Sequence, residues 1–151
     1  MRIAGLDVGE RRIGIAISDP TRLLARPVET LQVGGLGPTA LDRVTRALTD
    51  FAHEDDGLEL VVVGLPRRLD GTPNDMTAKV ELFARGLGAR IGLPVVLQDE
   101  RLTSREAESR LALNDKNWRT RKARLDAAAA AIILQDYLDA HTSAPPVPYE
   151  F

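Results

Sequence analysis

The segment Leu58-Glu59-Leu60-Val61-Val62-Val63-Gly64-Leu65 constrains the fold more than any other stretch of the chain. It is a nearly continuous apolar run, bounded by Gly57 and Pro66, of the kind buried on both faces of a sheet. A sheet covered on both faces needs helices on both sides, so the chain is read as α/β.

The flanking patterns supply the partners. Residues 2–8 form a second apolar run ending in Asp7-Val8-Gly9. Residues 12–18 alternate, with Ile13, Ile15 and Ile17 on one face and Gly14, Ala16 and Ser18 on the other. The short link Gly9-Glu10-Arg11 contains a glycine able to take positive φ, which predicts a hairpin. A third strand is expected over roughly 23–32, after the turn Asp19-Pro20-Thr21. Beyond the Gly34–Pro38 loop, Thr39-Ala40-Leu41-Asp42 resembles a capping box opening a helix with Leu41, Val44, Leu48 and Phe51 at helical spacing.

After the Leu58–Leu65 strand and the loop Pro66–Asn74, a second helix is predicted over about 75–91, with Met76, Val80, Phe83, Leu87 and Ile91 as its buried stripe. Pro94–Gln98 reads as a short strand. Thr103-Ser104-Arg105-Glu106 is a capping box for a helix ending near Asn114, residues 114–121 read as a mobile polar loop, and a final helix covers about 121–140. A doubly wound nucleotide-binding fold would alternate strand and helix from the start, and this chain does not.

Length and composition narrow the class. The 151 residues suit a single domain, placed at 1–141, with a Pro-rich extended or disordered tail at 142–151. A net charge of −2 gives no global argument for nucleic-acid binding, so any such claim rests on local patches. The absence of cysteine excludes thiolate metal sites, disulfides and thiol nucleophiles. The N-terminus lacks a basic-then-apolar signal, and the longest apolar run, Ala127–Leu134, is too short to span a bilayer, so a cytoplasmic protein with no membrane partner is expected.

Three carboxylates stand at informative places. Asp7 closes the first strand, with Ile3 and Gly5 on its side of the pleat. Gln98-Asp99-Glu100 falls at the C-terminal end of the last strand, where open sheets place their sites, and on residue pattern alone either Asp99 or Glu100 points inward. Asp126 precedes Ala127-Ala128-Ala129-Ala130-Ala131-Ile132-Ile133-Leu134, a helical stretch apolar all round whose alanines allow close approach to the sheet. Each alone has an ordinary reading, as a solvated strand end, a loop acid or a helix-dipole partner. Together they would repel unless they surround cations, and oxygen ligands of this kind select Mg²⁺ or Mn²⁺. The chemistry this implies is two-metal hydrolysis of a phosphodiester. His53 and His141 lack ligand spacing.

Basic residues accompany the acids. Lys116, Arg119, Arg121, Lys122 and Arg124 lie with Trp118 in a stretch without acids just before Asp126. Such a segment can hold a phosphate backbone while the indole stacks on an unpaired base. Arg67, Arg68 and Arg101 would add charge at the same rim.

Four segments together resemble the YqgF/RuvX-type family, pre-16S ribosomal RNA nucleases also described as Holliday junction resolvase-like proteins. They are Gly5-Leu6-Asp7-Val8-Gly9 running on to Asp19, Val63-Gly64-Leu65-Pro66 with Asp70-Gly71-Thr72, Asp99-Glu100-Arg101-Leu102-Thr103, and Leu125-Asp126-Ala127-Ala128-Ala129. The resemblance implies a ribonuclease H-like mixed five-stranded sheet of order 3-2-1-4-5 flanked by helices. It implies catalytic, metal-binding carboxylates at Asp7, Glu100 and Asp126, and it favours Glu100 over Asp99. Arg68 stands where many members have a small polar residue.

The expected activity is therefore a divalent-metal-dependent endonuclease on structured nucleic acid, either 5′-end processing of pre-16S rRNA or resolution of branched DNA. Paired cuts on a junction would require two sites and hence a homodimer. An actin-like ATPase or sugar kinase needs a second lobe and a second phosphate-binding turn, and the chain has neither. A catalytically silent nucleic-acid-binding module would be free to lose acids that are costly to hold together.

Overall fold

The structure, a computed structural model, describes residues 1–100 and 118–141, with side chains in the latter segment from 127 onward. Five strands form one sheet in the order β3-β2-β1-β4-β5: β1 (Arg2–Val8), β2 (Arg12–Ser18), β3 (Ala25–Gln32), β4 (Leu58–Leu65) and β5 (Val95–Asp99). The first three make an antiparallel meander, while β4 and β5 run parallel to β1. The C-terminal ends of β1, β4 and β5 therefore share one edge of the molecule.

Helices α1 (Pro38–Ala52) and α2 (Thr77–Ile91) cover one face, and α3 (Trp118–His141) covers the other. The alternation of β1 and β4 divides their side chains accordingly. Leu6, Val61 and Val63 pack with Val44, Leu48, Phe83 and Leu87 beneath α1 and α2. Ile3 and Val62 pack with Ala130, Ile133, Leu134 and Leu138 of α3. Fully burying a side chain of this size contributes ~1.5–3 kcal/mol, so both layers carry stability.

Several local expectations are corrected. Gly9 is not among the glycines with positive φ; its N–H donates to the Arg12 carbonyl (2.9 Å), and a Cβ there would stand 3.0 Å from that same oxygen. Close approach is thus the reason for this glycine. Helix α1 opens on Gly37 as N-cap with Pro38 in its first turn, and no side-chain cap is found among the described residues. Proline, preset for the first helical turn, takes precedence over the Thr39–Asp42 box, and Asp42 pairs with Arg90 instead.

At α2 the Asn74 side chain accepts the N–H groups of Met76 (2.8 Å) and Thr77 (3.1 Å), so the helix begins two residues later than its apolar pattern implied. Strand β3 begins at Ala25, because the carboxylate of Asp19 collects the N–H groups of Leu23 (2.9 Å) and Leu24 (2.8 Å) into a turn. Helix α3 begins at Trp118, so Trp118–Arg121 are helical and belong to no loop. Arginine, lysine, alanine and leucine are good helix formers, and only the missing apolar period hid this start.

The predicted helix 103–114, the remainder of the 114–121 loop and the tail 142–151 lie outside the described residues. Among the described residues, no helix is long and apolar enough to cross a membrane.

Candidate active site

Asp7 is set by the sheet register. Its partner on β2 is Gly14, and continuing the Leu6↔Val63 pairing puts Gly64 of β4 on its other side. Gly64 in turn pairs with Gln98 of β5. Asp7 therefore stands between two residues that lack side chains, in a trough on the α3 face of the sheet.

Helix α3 closes over this trough at very short range. A Cβ on Gly5 would lie 2.7 Å from Leu134 Cβ and 3.1 Å from the Ala130 carbonyl oxygen, so helix and strand backbones nearly touch. At the far end, Gln135 accepts the Ala25 N–H and donates to the Leu23 carbonyl (both 2.9 Å), which points the helix N-terminus toward the Asp7 end of β1. One turn before Ala130 is residue 126, about 6 Å along the helix. From Gly5 to Asp7 is about 6.6 Å along the strand. The backbone of α3 thus brings position 126 to the level of Asp7.

Glu100 follows β5, its N–H donating to the Leu65 carbonyl at 3.3 Å. Strand parity decides between the two neighbouring acids. Val96 packs under α3 and Val95 under α2, so Glu100 shares the α3 face with Val96, whereas Asp99 points the other way and lies 4.0 Å from Arg67. The Glu100 carboxyl is pushed up from 4.5 to about 8, first by burial, then by the negative charges of Asp7 and Asp99 and by a hydrogen bond to Asp7. Its Oε2 is buried without a hydrogen-bond partner among the described residues.

The structure therefore brings Asp7 and Glu100 into one electrostatic unit. Two acids forced together, one retaining its proton and one oxygen unsatisfied, are a donor set fitted to a hard divalent cation. Among the described residues no group of three ligating side chains is assembled, and the Asp126 side chain lies outside them.

Of the basic residues, Arg67 lies 4.0 Å from Asp99, on the other face of β5 from Glu100, while the Arg68 Nε donates to the Pro73 carbonyl (3.1 Å) within the 66–74 turn. Trp118, Arg119, Arg121, Lys122 and Arg124 belong to the first turns of α3, their side chains outside the described set; Arg101 and Lys116 lie wholly outside it. His53 caps α1, and His141 stacks on Tyr137 at 4.0 Å. A groove of about 600 Å³ between α1 and α2, floored by Leu41 and Phe83, lies on the opposite face of the sheet from the carboxylates. The flanking glycines and the Arg67–Asp99 pair are absent from the residue-level reading; the one available signal was a glycine inside the β4 apolar run.

A mixed five-stranded sheet of order 3-2-1-4-5, with Asp7 near the end of the central strand β1 and Glu100 just beyond the edge strand β5, is a ribonuclease H-like fold. The same fold is found in T. thermophilus RuvC in complex with a Holliday junction substrate (TM-score 0.54, 19% identity, 94% of this chain and 97% of that one). The chain belongs to the RuvX family, described as Holliday junction resolvase, whose pattern matches residues 1–140. Relatives from Listeria monocytogenes (44% identical, 92% of this chain and 98% of the relative) and Nocardioides sp. (44%, 97% and 92%) carry the name "Putative pre-16S rRNA nuclease".

Proposed function

We propose that this chain is a divalent-metal-dependent endonuclease that hydrolyses phosphodiester bonds in structured nucleic acid, with 5′-end processing of pre-16S rRNA as its task in the cytoplasm. The observation that carries the reading is Glu100, buried beside Asp7 and pushed up to about 8. Holding two acids together in this way costs stability in the absence of a cation, and a bound cation would offset that cost.

In this reading Asp7, Glu100 and Asp126 hold Mg²⁺ or Mn²⁺. The ions, when bound, supply the positive charge that lowers the pKa of an attacking water and stabilises the leaving oxygen. Glu100, whose carboxyl is pushed up to about 8, would hold a cation in its ionised form. Asp7, on a central strand between two glycines, is the fixed point of the set. Arg67 holds positive charge at the rim, where it and Arg68, Arg101, Lys116, Arg119, Arg121, Lys122 and Arg124 engage the phosphate backbone while Trp118 stacks on an unpaired base. The family description and the fold shared with a junction-bound resolvase favour branched DNA as a second substrate class, which would call for a homodimer cutting both strands.

The test offers a pre-16S rRNA precursor, a four-way DNA junction and a linear duplex side by side with Mg²⁺ or Mn²⁺. Cleavage of the precursor, lost with chelator and in Asp7→Asn, is expected. Undiminished cleavage by Asp7→Asn would refute the assignment, and preferential cutting of the junction would replace RNA by DNA.

A further inference from the structure

We propose that Gly64 is a positioning residue of the carboxylate centre: the space left by its missing side chain is the seat into which Glu100 reaches from β5. The inference rests on reading Asp7 and Glu100 as acids of one site. A Cβ on Gly64 would stand 2.4 Å from Oε2 and 3.2 Å from Cδ of Glu100, and 2.5 Å from Cδ1 of Ile133 on α3. Even a methyl group would claim the volume that the carboxylate occupies.

The topology explains why a seat is required. Neighbouring strands are about 4.8 Å apart, so β5 lies roughly 9.6 Å from β1 with β4 between them. A glutamate on β5 meets Asp7 only by leaning across β4, and a side chain on β4 at that level would block it. Backbone conformation does not demand glycine here, since Gly64 is not among the positive-φ positions. Glycine inside a strand weakens it, and close approach by another group is a recognised reason for its presence. The approaching groups here are the Glu100 carboxylate and Ile133.

The experiment compares Gly64→Ala, Gly64→Ala/Ile133→Val, Glu100→Ala and Gly64→Ala/Glu100→Ala with the parent chain. It uses calorimetric Mn²⁺ titration, crystal structures of the metal-free variants, and kcat and KM for cleavage. Gly64→Ala is expected to move the Glu100 carboxylate out of its seat and to weaken Mn²⁺ binding and kcat by ~10–100-fold, the range seen when a group that orients a metal ligand is lost, with KM for nucleic acid unchanged. Ile133→Val relieves the helix contact and restores folding without restoring Mn²⁺ affinity. In the Glu100→Ala background, Gly64→Ala causes no further loss of Mn²⁺ affinity, the non-additivity of two changes acting on one group.

An unmoved Glu100 in the variant structure, unchanged Mn²⁺ affinity, or losses that add to those of Glu100→Ala would each overturn the proposal. If the parent chain cuts no nucleic acid, the nuclease reading fails, while the metal-free structures still decide the seat.

Discussion

Replacing Glu100 by Gln in the metal-free protein is expected to stabilise it above pH 5, although the substitution removes a proposed metal ligand. In the native state the carboxyl titrates at about 8, against an ordinary value of 4.5. Between those two values the native state holds a proton that the denatured chain has released, so stability falls as pH rises across the window. Below 4.5 both states are protonated and above 8 both are ionised, so the contribution is flat outside it. At pH 7 the accumulated penalty is at most roughly 3–4 kcal/mol, from about 1.4 kcal/mol per pH unit over the interval from 4.5 to 7.

Gln retains an N–H that can donate to Asp7 and does not titrate. The variant's advantage over the parent should therefore be small at pH 5 and grow to several degrees in Tm by pH 8, at ~2–4 °C per kcal/mol. Thermal melts in EDTA from pH 5 to 9 measure it, read as the difference between the two proteins so that other titrating groups cancel. Added Mn²⁺ should reverse the order, raising the parent's Tm more steeply at higher pH and leaving Glu100→Gln unchanged. Parallel pH profiles for the two proteins would refute the claim that Glu100 is held protonated by burial and by Asp7.

Two further outcomes are expected. Gly5→Ala forces Leu134 and Ala130 away from β1 and should cost about 1–3 kcal/mol by urea denaturation, as overpacking does; a stability equal to the parent's would mean that α3 is not seated as closely as described. Replacing Arg119, Arg121 and Lys122 together by alanine should weaken nucleic-acid binding and flatten the dependence of log K on log salt by roughly 2–3, measured by fluorescence anisotropy, and an unchanged slope would return these residues to ordinary surface.

Legibility in the sequence followed the physics of each element. Strand β4 spans the 58–65 of its apolar run, because burial on both faces leaves no alternation to misread and Gly57 and Pro66 bound it. The start of α3 was missed because Trp118–Arg124 has helical propensity without an apolar stripe, and periodicity registers only the stripe. Residue pattern alone left Asp99 and Glu100 equal; the family resemblance favoured Glu100, and Val95 and Val96 on opposite faces supply the physical reason. Of the trough around Asp7, only the glycine inside the β4 apolar run left a trace in the sequence. Gly14 and Gly64 become its neighbours through strand register, a relation between distant segments that no local pattern encodes.

The contact between Gly5 and Ala130 also restricts how this family of sequences can change. A helix advances about 1.5 Å per residue and turns about 100°, whereas a strand advances about 3.3 Å and alternates faces. With α3 pinned at Gly5, a group on the helix meets the end of β1 only from positions a whole turn from Ala130. A single-residue insertion or deletion between 126 and 130 would swing that position a quarter-circle around the helix, however well the altered helix folded. Substitutions can accumulate over most of α3, but with Asp126 proposed as the third acid, the count of residues between it and the contact with β1 is expected to behave as a fixed length.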